Sequence, residues 1–148
     1  MNLVVIEGDF HERQWMVVEL KRFFPSAYIT EFKTTGDFLL ALGTLPTADV
    51  IIIEHFLPLG QVRPDYDEWF GKLDSLFPEV TANWDHQEAA ERLVRYMRKT
   101  GVQTPVIIYT HSDNRFINAD ILRDPHVVYC IKLSEMINLT TIIKELCM

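Results

Sequence analysis

Four apolar runs in this sequence each end on a polar residue that could do chemistry. LVVI leads into Glu7, Gly8 and Asp9, and VIII leads into Glu54 and His55. VIIY leads into Thr110, His111 and Ser112, and VVYCI leads into Lys132. Brought to one crevice, these runs would deliver carboxylates, a hydroxyl and an ammonium. Imidazoles beside carboxylates are also ligands that transition metals accept. One reading is therefore a metal-binding or enzymatic module built from His55, His111, Glu7 and Asp9. Two features weigh against it. No HExxH, CxxC or paired metal spacing is present. Neighbouring residues on a strand also point to opposite faces, so Glu54 and His55 do not both aim inward.

The elements that would position these residues follow from periodicity. The four runs are short, continuous and rich in β-branched residues, as strands covered on both faces are. Residues 27–32 alternate like a further strand. Helical spacing fills the gaps between strands. Asp9 and Glu12 form a capping-box pattern before a helix over 11–24, with Trp15, Met16, Leu20, Phe23 and Phe24 as its apolar stripe. A short helix over 35–42 turns Phe38, Leu39 and Leu42 inward. A helix over 86–100 turns Ala89, Ala90, Leu93, Val94 and Met97 inward and ends at Gly101. A weaker helix covers 114–122, and Ser134 caps a last one carrying Ile137, Leu139, Ile142, Ile143 and Leu146. Strand and helix alternate five times. That pattern predicts an α/β fold: a five-stranded parallel sheet with helices on both faces. In such a sheet, site residues collect at the carboxyl ends of the strands.

Bulk properties narrow the function classes. A chain of 148 residues fits a single domain, 1–148. The net charge of -7 disfavours nucleic acid, which needs a basic face. Arg92, Arg95, Arg98 and Lys99 read as a solvated helix face. No apolar run approaches the length of a membrane span, so no membrane is expected. The N-terminus, MNLVVIEGD, lacks a basic region, so it is not expected to be a signal peptide. Cys130 and Cys147 have neither metal nor redox spacing and read as reduced thiols of a cytoplasmic protein.

With those elements in place, VVIEGD, EHFLP, IIYTHSD and YCIKLSE fall in order at four strand ends, and TTGDFLLAL lies on the second helix. On these residues the chain resembles a response-regulator receiver domain, a flavodoxin-like fold with strand order 2-1-3-4-5. The resemblance covers nearly the whole chain except about residues 60–85. It implies that Glu54 stands at the phosphoacceptor position, with Pro58 four residues on. Thr110 stands where a hydroxyl contacts the phosphoryl oxygen, and Lys132 completes the site. Glu7 and Asp9 become candidate metal ligands. Tyr129, three residues before Lys132, falls at the rotating aromatic switch.

The departures from the family pattern concentrate in the site. Glu54 replaces the usual aspartate, and Gly8 replaces one of the paired acids. His111 follows Thr110 where a small residue is usual, and Leu133 follows Lys132 where a proline is usual. Glutamate is one methylene longer, so its oxygens cannot occupy the same place. Mg²⁺ tolerates poor geometry badly. In-line phosphoryl transfer depends on positioning and on that metal. The expectation is a pseudo-receiver: no cofactor, Mg²⁺ binding weak or absent, and no enzyme activity. Glu54 would pair directly with Lys132 and hold Thr110 and Tyr129 in one switch state. The alternative is a working Mg²⁺-dependent receiver in a two-component phosphorelay.

Residues of about 60–85 predict an insertion between strand 3 and helix 3, with an amphipathic helix over 65–77. One reading packs Trp69, Phe70, Leu73 and Phe77 of that helix on the domain's own surface; in the other, Trp69 and Phe70, with Phe116 and Ile121 on the fourth-to-fifth-helix face that the family uses, are candidate interaction residues. The expected module stands alone, is bacterial, and acts by contact with a protein partner in signal transduction. A homodimer through either face is a further expectation.

Overall fold

The β-branched runs do form strands, and their alternation builds two cores. The computed structural model describes residues 1–55, 63–82, 89–133 and 135–148. The strands are β1 (Asn2–Ile6), β2 (Tyr28–Phe32), β3 (Val50–Ile53), β4 (Val106–Thr110) and β5 (Val127–Ile131). All pair in parallel, in the order β2-β1-β3-β4-β5. Val4, Ile6, Ile51, Ile53, Val106 and Ile108 face one core. Leu3, Val5, Val50, Ile52, Ile107 and Tyr109 face the other. This period of two on both sides explains why the strands read as unbroken apolar runs.

The helices are α1 (Phe10–Phe23), α2 (Thr35–Ala41), α3 (Tyr66–Leu76), α4 (Pro78–Thr81), α5 (Ala89–Lys99), α6 (Ala119–Leu122) and α7 (Ile137–Cys147). Residues of α1 and α7 cover one face of the sheet, and residues of α2, α3 and α5 cover the other. Asp9 caps α1 by accepting the Glu12 N–H at 2.8 Å, and Thr34 caps α2 by accepting the Asp37 N–H at 3.1 Å. Gly101, at φ 83°, ends α5 in the left-handed region that glycine takes without strain. The expected cap at Ser134, the start of the expected 86–100 helix, and Pro58 lie outside the described residues.

Three expectations need correction. The inward stripe of α1 is Arg13, Met16 and Leu20, continued by Phe24 just past its end, whereas Trp15 and Phe23 are exposed. Arg13 takes an inner position because its guanidinium donates to the Glu7 carbonyl at 2.8 Å and meets Glu31 at 3.2 Å. The weak helix near 114–122 splits into a 3₁₀ turn, Asn114–Phe116, and the single turn α6. The candidate interaction residues mostly face inward. Trp69 and Ile121 are core residues, and Phe70 is half-buried against Tyr66, with ring centroids 5.9 Å apart. Only Phe116 of the four is exposed, at 61%. Trp69 is held by its indole N–H, which donates to Asp37 Oδ1 at 3.1 Å, so α3 packs on α2 and not on solvent.

The packing of α3 yields a test. Leu73 is 0% exposed and Leu76, one turn away, is 57% exposed. Leu73→Ala is expected to cost about 2–5 kcal/mol and Leu76→Ala no more than about 0.5 kcal/mol, read by urea unfolding. Equal costs would contradict the placement of α3.

Candidate functional site

The site begins where the strand ladders run one residue past the strands. The Glu7 N–H donates to the Phe32 carbonyl and the Glu54 N–H to the Ile6 carbonyl, each at 3.1 Å. The Lys132 N–H donates to the Thr110 carbonyl at 2.9 Å. Backbone pairing thus fixes Glu7, Glu54 and Lys132 at one edge of the sheet before any side chain interacts. Alternation then sorts the side chains. Glu54 turns into the site, and His55 turns to the opposite core, where its Nε2 lies 3.9 Å from Glu91 Oε2.

The Lys132 side chain is 4% exposed and ends among three carboxylates. Its Nζ donates to Glu7 Oε2 at 2.7 Å, to Glu12 Oε2 at 2.6 Å and to Glu54 Oε2 at 2.6 Å. An ammonium has three N–H bonds, so its donors are fully used. The other carboxylate oxygens are engaged as well. Glu7 Oε1 accepts the Asp9 N–H at 3.0 Å, and Glu54 Oε1 accepts the His55 N–H at 2.8 Å. Glu12 Oε1 lies 3.3 Å from His111 Nε2.

Burial and charge act against each other here. Burial alone would favour a neutral Lys132 amine, but the hydrogen bonds it donates to Glu12, Glu54 and Glu7 raise its pKa above the ordinary lysine value. Burial pushes the Glu7 carboxyl up, and Lys132 only partly offsets that. Burial pushes Glu12 up too, but hydrogen bonds and charge from Lys132 and His111 leave it below the usual value. Tyr109 packs beneath, with Lys132 Nζ 5.6 Å from its ring centre. Burial pushes its phenol up to about 12.

The remaining expected residues divide. Thr110 is buried, and its Oγ1 accepts the Ser112 N–H at 3.2 Å. The half-buried Tyr129 donates its hydroxyl proton to the Ser112 carbonyl at 2.5 Å. Both therefore brace the segment after β4. Asp9 is committed to the α1 cap, and the carboxylates that cluster are Glu7, Glu12 and Glu54, with ligand oxygens within 4.8 Å of one another. Glu12 was legible only as half of the capping box. Its side chain leaves its own helix for Lys132 instead. Glu91 was also missed. It is buried, accepts the Asn118 N–H at 2.6 Å, and accepts from Asn118 Nδ2 at 3.1 Å.

Do the three carboxylates fit Mg²⁺? That ion demands octahedral oxygen ligands at about 2.1 Å. Here an ammonium already lies within 2.7 Å of all three, where the cation would stand. The set does not fit Mg²⁺ while Lys132 keeps this position.

Removing the ammonium has a calculable sign. Lys132→Met leaves the carboxylates facing one another, and the loss at about pH 7 is expected to be about 3–5 kcal/mol. Crowded by like charge, the carboxyls would then have folded pKa values above their unfolded ones. Stability of the variant therefore rises as pH falls through those raised values. In the parent chain the Lys132 contribution is complete below the ordinary lysine value and is lost only as pH rises through its raised one. Urea unfolding near pH 5 and pH 7 checks this. A penalty that does not shrink at the lower pH contradicts it.

No protein-family model matches the sequence, and no curated protein matches it. Solved structures do resemble the fold. The Francisella response regulator 1452 receiver domain aligns over 98% of this chain and 94% of its own, at 18% identity and a TM-score of 0.66. The response regulator TrrA of Thermotoga maritima, solved in complex with Mg²⁺-BeF, aligns over 98% and 97%, at 14% identity and a TM-score of 0.65. A response regulator receiver domain from Clostridium thermocellum aligns over 99% and 93%, at 14% identity and a TM-score of 0.65. With the strand order and crossovers above, these likenesses establish that the chain has the flavodoxin-like fold of receiver domains.

Proposed function

We propose that this chain is a pseudo-receiver: a binding module that acts by protein contact in signal transduction without being phosphorylated. The observation that carries this reading is the saturation of Lys132. A receiver lysine must offer N–H groups to an arriving phosphoryl group, yet here three carboxylates take them all. Glu54, at the phosphoacceptor position, has one oxygen on Lys132 and the other on the His55 N–H. Each Glu54 oxygen thus already accepts a charge-assisted or backbone hydrogen bond, which lowers its nucleophilicity, and no fitted Mg²⁺ neutralises the developing charge.

In this reading the Glu54–Lys132 contact stands in for phosphorylation and keeps the switch segment in one state. The Tyr129 contact with Ser112 supports a single arrangement there. The contact face runs from the 3₁₀ turn before α6 through β5, where Phe116, Leu122 and Ile131 are exposed. Among the described residues no helix is long and apolar enough to cross a membrane. The cytoplasmic location expected from the sequence belongs to the same proposal.

The test is intact-mass measurement after incubation with acetyl phosphate and excess Mg²⁺. The expected result is no gain of a phosphoryl group. A gain that maps to Glu54 would establish the working receiver instead. A partner interaction abolished by Phe116→Ala but unaffected by the phosphodonor is the second expected outcome, read by titration against the captured partner.

A further inference from the structure

The amino ends of β3 and β4, away from the Lys132 crevice, carry a feature that the switch reading does not use. A cavity of about 230 Å³ lies there, between the sheet and the connection from α2 to β3. Its floor is Val4 of β1 and Ile51 of β3, and Phe38 of α2 and Met97 of α5 wall it. All four are buried, whereas Pro46 and Thr47 at its mouth are exposed. The cavity has a local origin. α2 stops at Ala41 after seven residues, about 10 Å of helix. A 3₁₀ turn, Leu42–Thr44, and an irregular stretch then carry the chain to Val50. That stretch offers Leu45 and Ala48, both only half-buried, where a longer helix would fill the space. Folded interiors hold few voids larger than one water molecule, so a space of this size is uncommon.

Its chemistry, size and rigidity say what it takes. The polar side chains of the lining are Thr47 and Thr104, and no charged residue is among them. Backbone groups of the wall are committed elsewhere. The Thr47 carbonyl accepts from Asn2 Nδ2 at 3.2 Å, and the Val102 carbonyl accepts from the Arg98 guanidinium at 2.8 Å. The Val102 N–H donates to the Met97 carbonyl at 2.9 Å. A water molecule needs two to four polar partners, so water at the apolar floor is poorly held. The volume selects small molecules. An apolar cavity of about 150 Å³ suffices for benzene, and drug-sized ligands take about 300 Å³ or more. The walls are also fixed in advance. Asp37 accepts from the Thr34 hydroxyl at 3.0 Å and from the Trp69 indole at 3.1 Å, which pins α2. Phe38 packs edge-on against Phe32, with ring centres 5.4 Å apart. The Asn2 N–H donates to Asp49 Oδ2 at 2.7 Å and ties the irregular stretch to β1. A preformed site adds little ordering cost to binding.

We propose that this cavity is a binding site for a compact, uncharged apolar molecule of single-ring size, such as a monocyclic aromatic or its short alkyl derivative. The ring lies on Val4 and Ile51, between Phe38 and Met97, and any single polar group it carries points to the Thr47 mouth. Binding displaces poorly held water and buries apolar surface on both partners. The site shares no lining residue with the Lys132 network, and it does not depend on whether Glu54 can be phosphorylated.

The experiment titrates the full chain with toluene and follows ¹³C-methyl NMR. Saturable shifts at one molecule per chain are expected, confined to methyls around the cavity such as those of Val4, Leu42, Ile51 and Met97. The thermal midpoint should rise with toluene concentration, as it does for any ligand of the folded state. Ala48→Leu, which fills the space, is expected to abolish the saturable shifts. Val102→Phe fills it from the opposite wall and serves if the first variant does not fold. Leu45→Ala enlarges the cavity and should admit naphthalene, which the parent chain excludes. Leu76→Ala, on exposed surface, should leave the toluene titration unchanged. Shifts that do not saturate, that spread through both cores, or that persist in the filled variants overturn the proposal.

Discussion

The site depends on one interaction, the Lys132 ammonium held by Glu7, Glu12 and Glu54. Each carboxylate comes from a different element: the end of β1, the first turn of α1 and the end of β3. The lysine follows β5, at the far side of the sheet order from β1. A buried ammonium is costly by itself, and so are three crowded carboxylates. Together they are tolerable only because each satisfies the other's hydrogen bonds. The interaction therefore ties four chain segments at one edge and sets the charge of the crevice.

The sheet makes this meeting geometrically compulsory. Parallel pairing aligns the carboxyl ends of β1, β3, β4 and β5, and the ladder bonds of Glu7, Glu54 and Lys132 carry that register one residue further. Side-chain alternation then divides Glu54 from His55. The first goes to the ammonium, and the second goes to a buried pairing with Glu91, where burial holds the imidazole below its ordinary value against the pull of that carboxylate. Glu91 in turn holds Asn118, at the start of α6. Residues adjacent in sequence thus connect the crevice to one core and the outer helices to the other.

Much of this was legible in the sequence, for a physical reason. Strands covered on both faces leave continuous apolar runs, so their ends are visible, and parallel order brings those ends together. Glu7, Glu54, Thr110 and Lys132 could be placed in this way. What the sequence hid was the choice among competing partners. Asp9 and Glu12 read as a capping box, but only Asp9 caps, and Glu12 reaches a lysine 120 residues away. Trp69 and Ile121 read equally well as surface or core, because helical spacing shows an apolar face without showing what covers it. Asp37 and the helices packed on that side decide the matter. Arg13 broke its apolar stripe because a backbone carbonyl and Glu31 satisfied it, a long-range fact that periodicity does not encode.

The central claim is that Lys132 is a fully engaged ammonium. Lysine-selective ¹⁵N NMR across an alkaline titration reads this directly. The account predicts that the Lys132 Nζ stays protonated through the pH at which the exposed lysines lose their protons, and that Glu54→Gln lowers its titration point. A Lys132 signal that titrates together with the exposed lysines would contradict the account.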